Sequence, residues 1–228
     1  VPEEEFRRVI EVNLLGTVNG TRIALRRMLP RNRGTVVQVL SAISFRGVPL
    51  QSAYSASKFG LRGFTEAVRS ELRHDRSRVH LTMVHPPATN TPFYSHAGSV
   101  MEKAPRPPPP VYQPEMVGEA LFLAGTVKRR DWVIGGQSAA LKLSNQLAPG
   151  MVDLLMGAVG VATQQTTREE VLESRRPRPP EAKTHGPFDW ESLSHSVHWL
   201  ATKNPATTGL ALGVAALGLA SALRRNSD

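Results

Sequence analysis

A tyrosine and a lysine stand four residues apart in this chain, at Tyr54 and Lys58, and this spacing puts both side chains on one face of a helix. A free tyrosine, with a pKa of ~10, is a poor acid or base at neutral pH. A lysine ammonium close to it stabilises the phenolate and lowers that pKa. The pair could therefore transfer a proton while a carbonyl and an alcohol interconvert.

A serine supplies a third group for the same chemistry. Ser41 lies 13 residues before Tyr54 and directly follows a run of mostly β-branched residues, 35–40. Ligands of open α/β sheets bind at the carboxyl ends of strands, so the Ser41 hydroxyl could hydrogen-bond to a substrate oxygen there. Ser44 is an alternative, but its separation of 10 residues from Tyr54 fits less well. The tyrosine–lysine spacing alone is a weak signal, because any helix can carry such a pair on its surface.

The elements that must position these groups alternate along the chain. Hydrophobic periodicity predicts helices over 3–28, 51–74, 115–127 and 137–158, the last interrupted near Pro149-Gly150, and buried strands over 35–40, 79–84 and 131–134. Strands separated by helices indicate parallel βαβ units in an open α/β sheet. Three such strands make only half of a doubly wound domain, so we expect the other half to precede Val1.

Composition divides the chain into three parts. Residues 1–158 form the predicted partial Rossmann-like domain, 159–205 a polar arm rich in proline and arginine, and 206–225 an apolar helix. The predicted fold class is α/β, the C-terminal half of a Rossmann-like doubly wound parallel sheet with an irregular arm and a C-terminal apolar helix.

Four segments resemble the short-chain dehydrogenase/reductase family of the classical type. They are Gly34-Thr35-Val36-Val37-Gln38-Val39-Leu40-Ser41, Tyr54-Ser55-Ala56-Ser57-Lys58-Phe59-Gly60, Val12-Asn13-Leu14-Leu15-Gly16 and Pro86-Pro87-Ala88-Thr89-Asn90-Thr91-Pro92. In that family they correspond to a strand ending in a catalytic serine, a Tyr-x-Ala-Ser-Lys-like helix, a helix with a catalytic asparagine, and a Pro-Gly-x-x-x-Thr segment. The order and spacing agree, and the resemblance covers residues 1–145.

The resemblance implies catalytic roles for four residues. Tyr54 would be the general acid/base, and Lys58 would lower its pKa and hold the nicotinamide ribose hydroxyls. Ser41 would orient and polarise the substrate carbonyl. Asn13 would anchor a water that links Lys58 to solvent in a proton relay.

The resemblance also implies a cofactor, NAD or NADP, which carries the hydride. Its contacts would be Tyr54, Lys58, Pro86, Pro87 and Thr91. Pro87 stands where the family usually has glycine, and a proline has a fixed φ and no N–H, so the backbone contact there would differ. The implied protein is a bacterial-type cytoplasmic oxidoreductase that acts on CH–OH donors, takes a small carbonyl or alcohol substrate and forms homo-oligomers.

One part of the family pattern does not occur in this sequence. It contains neither the Thr-Gly-x-x-x-Gly-Ile-Gly loop nor the Asn-Asn-Ala-Gly segment. These bind the pyrophosphate and adenosine half of the cofactor. We therefore expect an N-terminally truncated member of the family that is inactive alone. The alternative is a catalytically incomplete, membrane-tethered remnant that binds no cofactor.

Charge and metal-ligand patterns indicate neither nucleic-acid binding nor a metal site. The formal net charge is +9, but the arginines are scattered in pairs and no reader motif occurs, so solvated surfaces are favoured over a basic nucleic-acid module. There are no cysteines, which excludes disulfides and thiolate metal sites. The seven histidines lack metal-ligand spacing, so we expect no metal.

The resemblance further implies that residues 92–113 cover the active site, and their composition indicates an apolar lid. Phe93, Tyr94, Val100, Met101 and a proline run indicate a substrate with apolar character. The alternative is a loop that makes no specific contact with substrate.

The segment 206–223 has no charged residue and is followed by Arg224-Arg225. Its 18 residues are at the lower limit for crossing a bilayer. We expect contact with a membrane through this segment. The alternative is an Ala/Gly-rich helix that lies on the domain or at an oligomer interface.

Overall fold

The computed structural model describes residues 1–96, 103–167 and 183–204. The helices are α1 (Glu3–Ile10), α2 (Gly16–Met28), α3 (Ser52–His74), α4 (Phe93–His96), α5 (Glu115–Thr126), α6 (Gly136–Leu147), α7 (Pro149–Val159) and α8 (Val197–Lys203). The strands are β1 (Thr35–Val39), β2 (His80–His85), β3 (Ala104–Pro105), β4 (Val111–Tyr112), β5 (Asp131–Val133), β6 (Gln165–Thr166) and β7 (Ser192–Leu193). A π-helical segment, Glu11–Leu15, joins α1 to α2.

Three strands form a parallel sheet in the order β1-β2-β5, which confirms the predicted α/β class. The register pairs Val39 with Val84, so β1 and β2 end side by side. The loops that follow them therefore leave the sheet at the same edge, where open α/β sheets bind their ligands.

Helices cover both faces of this sheet. Side chains alternate between the faces along a strand, and in β2 Leu81 and Met83 pack among residues of α3, including Leu61 and Leu72. The next residue, Val84, points to the other face of the sheet and packs against α5. The result is a helix–sheet–helix arrangement in which the central strand, β2, is buried on both sides, with five of its six residues buried.

The predicted first helix, residues 3–28, is continuous but not α-helical throughout. Five residues, Glu11–Leu15, form a π-helical turn. Such turns insert a residue into an α-helix and often occur at functional sites. The apolar periodicity cannot reveal this turn, because one inserted residue changes the phase only slightly over a short helix.

The polar arm predicted over 159–205 has structure in its described part. Within residues 183–204, Phe188 is fully buried and Trp199 is 2% exposed. The strand β7 pairs with β4, and the Trp199 Nε1 donates a hydrogen bond of 2.7 Å to Glu119 on α5. Two large aromatic side chains therefore anchor a segment whose overall composition is polar.

Among residues 1–96, 103–167 and 183–204, no helix is both long and apolar enough to cross a membrane. The same ranges hold no group of His, Asp or Glu side chains placed to bind a metal ion. The apolar segment 206–223 lies outside the described residues, as do Val100 and Met101 of the expected lid.

Trp199→Ala should destabilise the protein by about 3–5 kcal/mol, because it removes a large side chain from the core between α5 and β5. Denaturant unfolding measures this loss. Val197→Ala on the same helix is the control, since Val197 is 85% exposed, and it should change stability by less than about 0.5 kcal/mol. Equal effects of the two substitutions would show that residues 183–204 are not part of the cooperative fold.

Candidate active site

The loops after β1 and β2 are tied together at the carboxyl edge of the sheet. The Leu40 amide donates to the Val84 carbonyl at 2.8 Å, and the Ala42 amide donates to the Pro86 carbonyl at 2.9 Å. The loop after β1, residues 40–51 and here the serine loop, is thus held by backbone hydrogen bonds next to residues 86–92, here the proline turn.

Ser41 and Tyr54 come together above this edge. Ser41 begins a 3₁₀ turn, where its Oγ accepts from the Ile43 amide at 3.3 Å. The Ser41 side chain also lies beside the Tyr54 hydroxyl. Burial raises the pKa of Tyr54, and this effect exceeds the lowering of the pKa by the neighbouring Ser41 hydroxyl. The phenol is therefore protonated at neutral pH, the form that can donate a proton.

Lys58 lies one helical turn after Tyr54, as its spacing predicted. Its Nζ donates to the Val39 carbonyl at 2.9 Å and lies 5.5 Å from the centre of the Tyr54 ring. Burial lowers the pKa of Lys58. The pKa of Tyr54 is raised and not lowered: burial has the largest effect, and Ser41 is the neighbour that lowers this pKa.

Asn13 reaches the same helix through an intermediate side chain. Its Nδ2 donates to Ser57 Oγ at 3.5 Å, and Ser57 Oγ donates to the Tyr54 carbonyl at 2.7 Å. The π-helical turn carries Asn13 and packs Leu14 against Gly60, where a Cβ would come within 2.9 Å of a Leu14 methyl carbon. Sequence reasoning missed the role of Ser57, although it lies within the motif of Tyr54 and Lys58.

The proline turn packs against the start of α6. Gly135 has a φ of +80°, and a Cβ there would lie 3.2 Å from the Pro87 Cβ. The proline in place of the expected glycine is therefore accommodated by a glycine on the opposite side. Farther along the turn, the Thr91 amide donates to the Thr89 carbonyl at 3.0 Å.

Ser44, the alternative serine, has a different environment. It is fully buried, its Oγ donates to the Ser41 carbonyl at 2.6 Å, and the same oxygen is 2.9 Å from His85 Nδ1. The His85 ring stacks on Phe45 with 4.4 Å between ring centres. Burial lowers the pKa of His85, so the imidazole is neutral. Ser44 supports the backbone of Ser41, and Ser41 is the serine that meets Tyr54.

A second tyrosine, Tyr94, lies close to the first. Burial raises the pKa of Tyr94 far above its usual value, and electrostatic interaction with Tyr54 raises it further. The Tyr94 ring meets Phe188 edge to face, with 5.5 Å between ring centres. The sequence placed Tyr94 in an apolar lid but gave no sign of Phe188, except that it is an aromatic residue in a polar segment.

Comparisons with known proteins identify a family and several relatives that this chain resembles. Residues 1–100 match the family described as short chain dehydrogenase. An uncharacterised oxidoreductase from Bacillus subtilis, YxnA, is 35% identical over 170 residues, which cover 74% of this chain and 48% of that protein. A putative oxidoreductase from Mycobacterium tuberculosis, SadH, is 42% identical over 94 residues, 40% of this chain and 34% of that protein. The chain thus spans about half the length of the first of these relatives and about a third of the second.

A solved structure has the same fold. A short chain dehydrogenase from Burkholderia cenocepacia, crystallised in complex with NADP, aligns with a TM-score of 0.56 at 24% identity and covers 68% of this chain and 60% of that one. The parallel sheet, the order of the motifs and the two sequence relatives agree. The chain belongs to the short-chain dehydrogenase/reductase family.

Proposed function

We propose that this chain carries the catalytic part of an NAD(P)-dependent oxidoreductase that interconverts a carbonyl and an alcohol. The observation that carries the proposal is that the Ser41 side chain and the Lys58 ammonium both lie beside the Tyr54 phenol, at the edge where two parallel strands end. A phenol, an alcohol and an ammonium in one place suit a substrate oxygen that gains or loses a proton.

The residues present fit one half of a nicotinamide cofactor. The Tyr54 hydroxyl and the Lys58 ammonium are donors suited to ribose hydroxyls, and Pro86, Pro87 and Thr91 would line the nicotinamide ring. When bound, this cofactor supplies or accepts the hydride. The solved relative in complex with NADP supports this choice of cofactor.

The proton step follows from the pKa of Tyr54. In the reducing direction, negative charge develops on the carbonyl oxygen, and a protonated phenol within hydrogen-bond reach neutralises it. Ser41 would donate a hydrogen bond to the same oxygen, a fixed dipole aimed at the developing charge. Lys58 would then favour the phenolate, and Asn13 would hold the start of α3 in position through Ser57.

The nature of the substrate follows from the wall beside the phenol. Tyr94 lies close to Tyr54, and the Tyr94 ring meets the ring of Phe93 with 5.4 Å between the two ring centres. We therefore propose a small carbonyl or alcohol substrate with apolar character.

The homo-oligomer, the cytoplasmic location and the membrane contact through 206–223 stay predictions.

A second candidate is a remnant that binds no cofactor. It is favoured by one observation, that the sequence lacks the glycine-rich pyrophosphate loop of the family. Titration of the chain with NADH and with NADPH, followed by nicotinamide fluorescence, separates the two. Saturable binding would exclude the remnant, and no binding by the protein expressed from its whole reading frame would establish it.

Tyr54→Phe should reduce turnover by about 10²–10⁴-fold, because it removes the proton donor and leaves the ring in place. The measurement is the rate of NADPH or NADH oxidation with aromatic and aliphatic ketones, in the protein expressed from its whole reading frame. Tyr112→Phe is the matched control, since Tyr112 is buried in the core next to α5. Wild-type turnover by Tyr54→Phe would eliminate the assigned role.

Lys58→Met should shift the pH profile of alcohol oxidation to higher pH by about one unit or more, because a nearby cation favours the phenolate. Initial rates measured as a function of pH give the shift. Lys142→Met is the control: its Nζ lies 5.2 Å from the Phe45 ring centre, a contact like that of Lys58 with Tyr54, but away from the phenol. A profile that does not move with Lys58→Met would mean that the ammonium does not tune Tyr54.

A further inference from the structure

Residues 183–193, here the return segment, fold back onto the proline turn that contains Thr91. We propose that the return segment is a positioning element for the nicotinamide cofactor, with Gly186 and Asn90 fixing the backbone at Thr91. The inference rests on the proposed function, and it adds a determinant of cofactor affinity from a part of the chain well separated in sequence from the catalytic motifs.

Asn90 is the centre of the contact. It is fully buried, and its Nδ2 donates to Asp189 Oδ1 at 2.8 Å and to Gln113 Oε1 at 3.2 Å. Its Oδ1 accepts from the Phe188 amide at 3.1 Å. Both donor hydrogens and the carbonyl of the Asn90 amide are therefore used, and two of these bonds go to the return segment.

Gly186 makes the closest approach. Its amide donates to the Asn90 carbonyl at 3.4 Å. A Cβ on Gly186 would lie 2.3 Å from the Thr91 carbonyl oxygen and 2.7 Å from the Thr91 carbonyl carbon. These are backbone atoms, which cannot turn aside as a flexible side chain can. Any side chain at position 186 must displace the Thr91 peptide or the return segment.

The return segment is anchored on both sides of this contact. Phe188 is buried with Ala104 and packs against Tyr94, the residue beside the catalytic phenol. Farther on, Arg106 and Glu191 form a largely buried ion pair, and the Gln113 amide donates to the Leu193 carbonyl at 3.0 Å. The contact of the return segment with Thr91 is therefore held in place by packing and hydrogen bonds on both sides.

On its other side, the proline turn is held by β4. The Asn90 amide donates to the Tyr112 carbonyl, and the Tyr112 amide donates to the Ala88 carbonyl, each at 2.9 Å. The turn is thus clamped between β4 and the return segment. Because small displacements of binding groups cost affinity and rate steeply, a clamp on Thr91 should affect how tightly the nicotinamide is held.

Gly186→Ala tests the proposal. It should raise the KM for NADPH or NADH about tenfold or more, with a smaller change in kcat, since Thr91 is displaced while Tyr54 and Ser41 stay in place. Amide hydrogen exchange of residues 88–91 should become faster in the same variant without cofactor. Gly118→Ala on α5 is the matched control, because nothing lies within 4 Å of a Cβ there, and it should change neither quantity.

Asp189→Ala is the second variant, and it keeps the proposal testable if Gly186→Ala does not fold. It removes an acceptor of Asn90 Nδ2 at an exposed position and should raise the cofactor KM in the same direction but less. Faster exchange at 88–91 with an unchanged KM in both variants would overturn the proposal and leave the segment a structural role alone. An absence of cofactor binding by the wild-type protein would instead overturn the proposed function, and the cofactor role of the segment with it.

Discussion

The parallel pairing of β1 with β2 determines where the two loops of the site meet. Because Val39 pairs with Val84, the chain leaves both strands at the same level, and the serine loop and the proline turn emerge side by side. One backbone hydrogen bond between these loops, from Ala42 to Pro86, carries this register past the end of the sheet. A shift of one residue would turn alternate side chains to the opposite face and separate Ser41 from Tyr54.

Burial sets the chemical state of the site more than neighbouring charge does. The phenol of Tyr54, the ammonium of Lys58 and the imidazole of His85 all have pKa values displaced toward the neutral form by loss of hydration. In such a site the Tyr54 phenol stays protonated, and the Lys58 ammonium loses its own proton more easily than the ammonium of a free lysine does. Both features suit the delivery of a proton to an oxygen that becomes negatively charged.

The sequence predicted the main elements well, because each has a strong local signal. The strand at 35–39 is β-branched, the helix at 52–74 has apolar residues at helical spacing, and Pro149-Gly150 marks the break between α6 and α7. The meeting of Ser41 with Tyr54 was predictable for the same reason, since it needs only a strand end, a loop length and a helix start. The resemblance to a family added the roles.

The contacts that the sequence did not predict depend on long-range packing. Nothing local to Phe188 or Gly186 indicates that they lie against a turn almost 100 residues earlier, and the polar composition around them favoured an irregular arm. The π-helical turn at Asn13 and the buried pair of Ser44 and His85 also arise from tertiary fit. Periodicity and motif spacing carry no information on such contacts, because these concern neighbours along the chain.

Pro87 and Gly135 restrict each other's replacement during evolution. Gly135 has the left-handed φ that favours glycine, and the space where a Cβ would be is closed by the proline ring. A smaller residue at position 87 would relieve the crowding but leave the backbone angle at 135 unchanged. Substitutions are therefore tolerated more readily at position 87 than at position 135. Related sequences in which Pro87 is replaced should still keep Gly135.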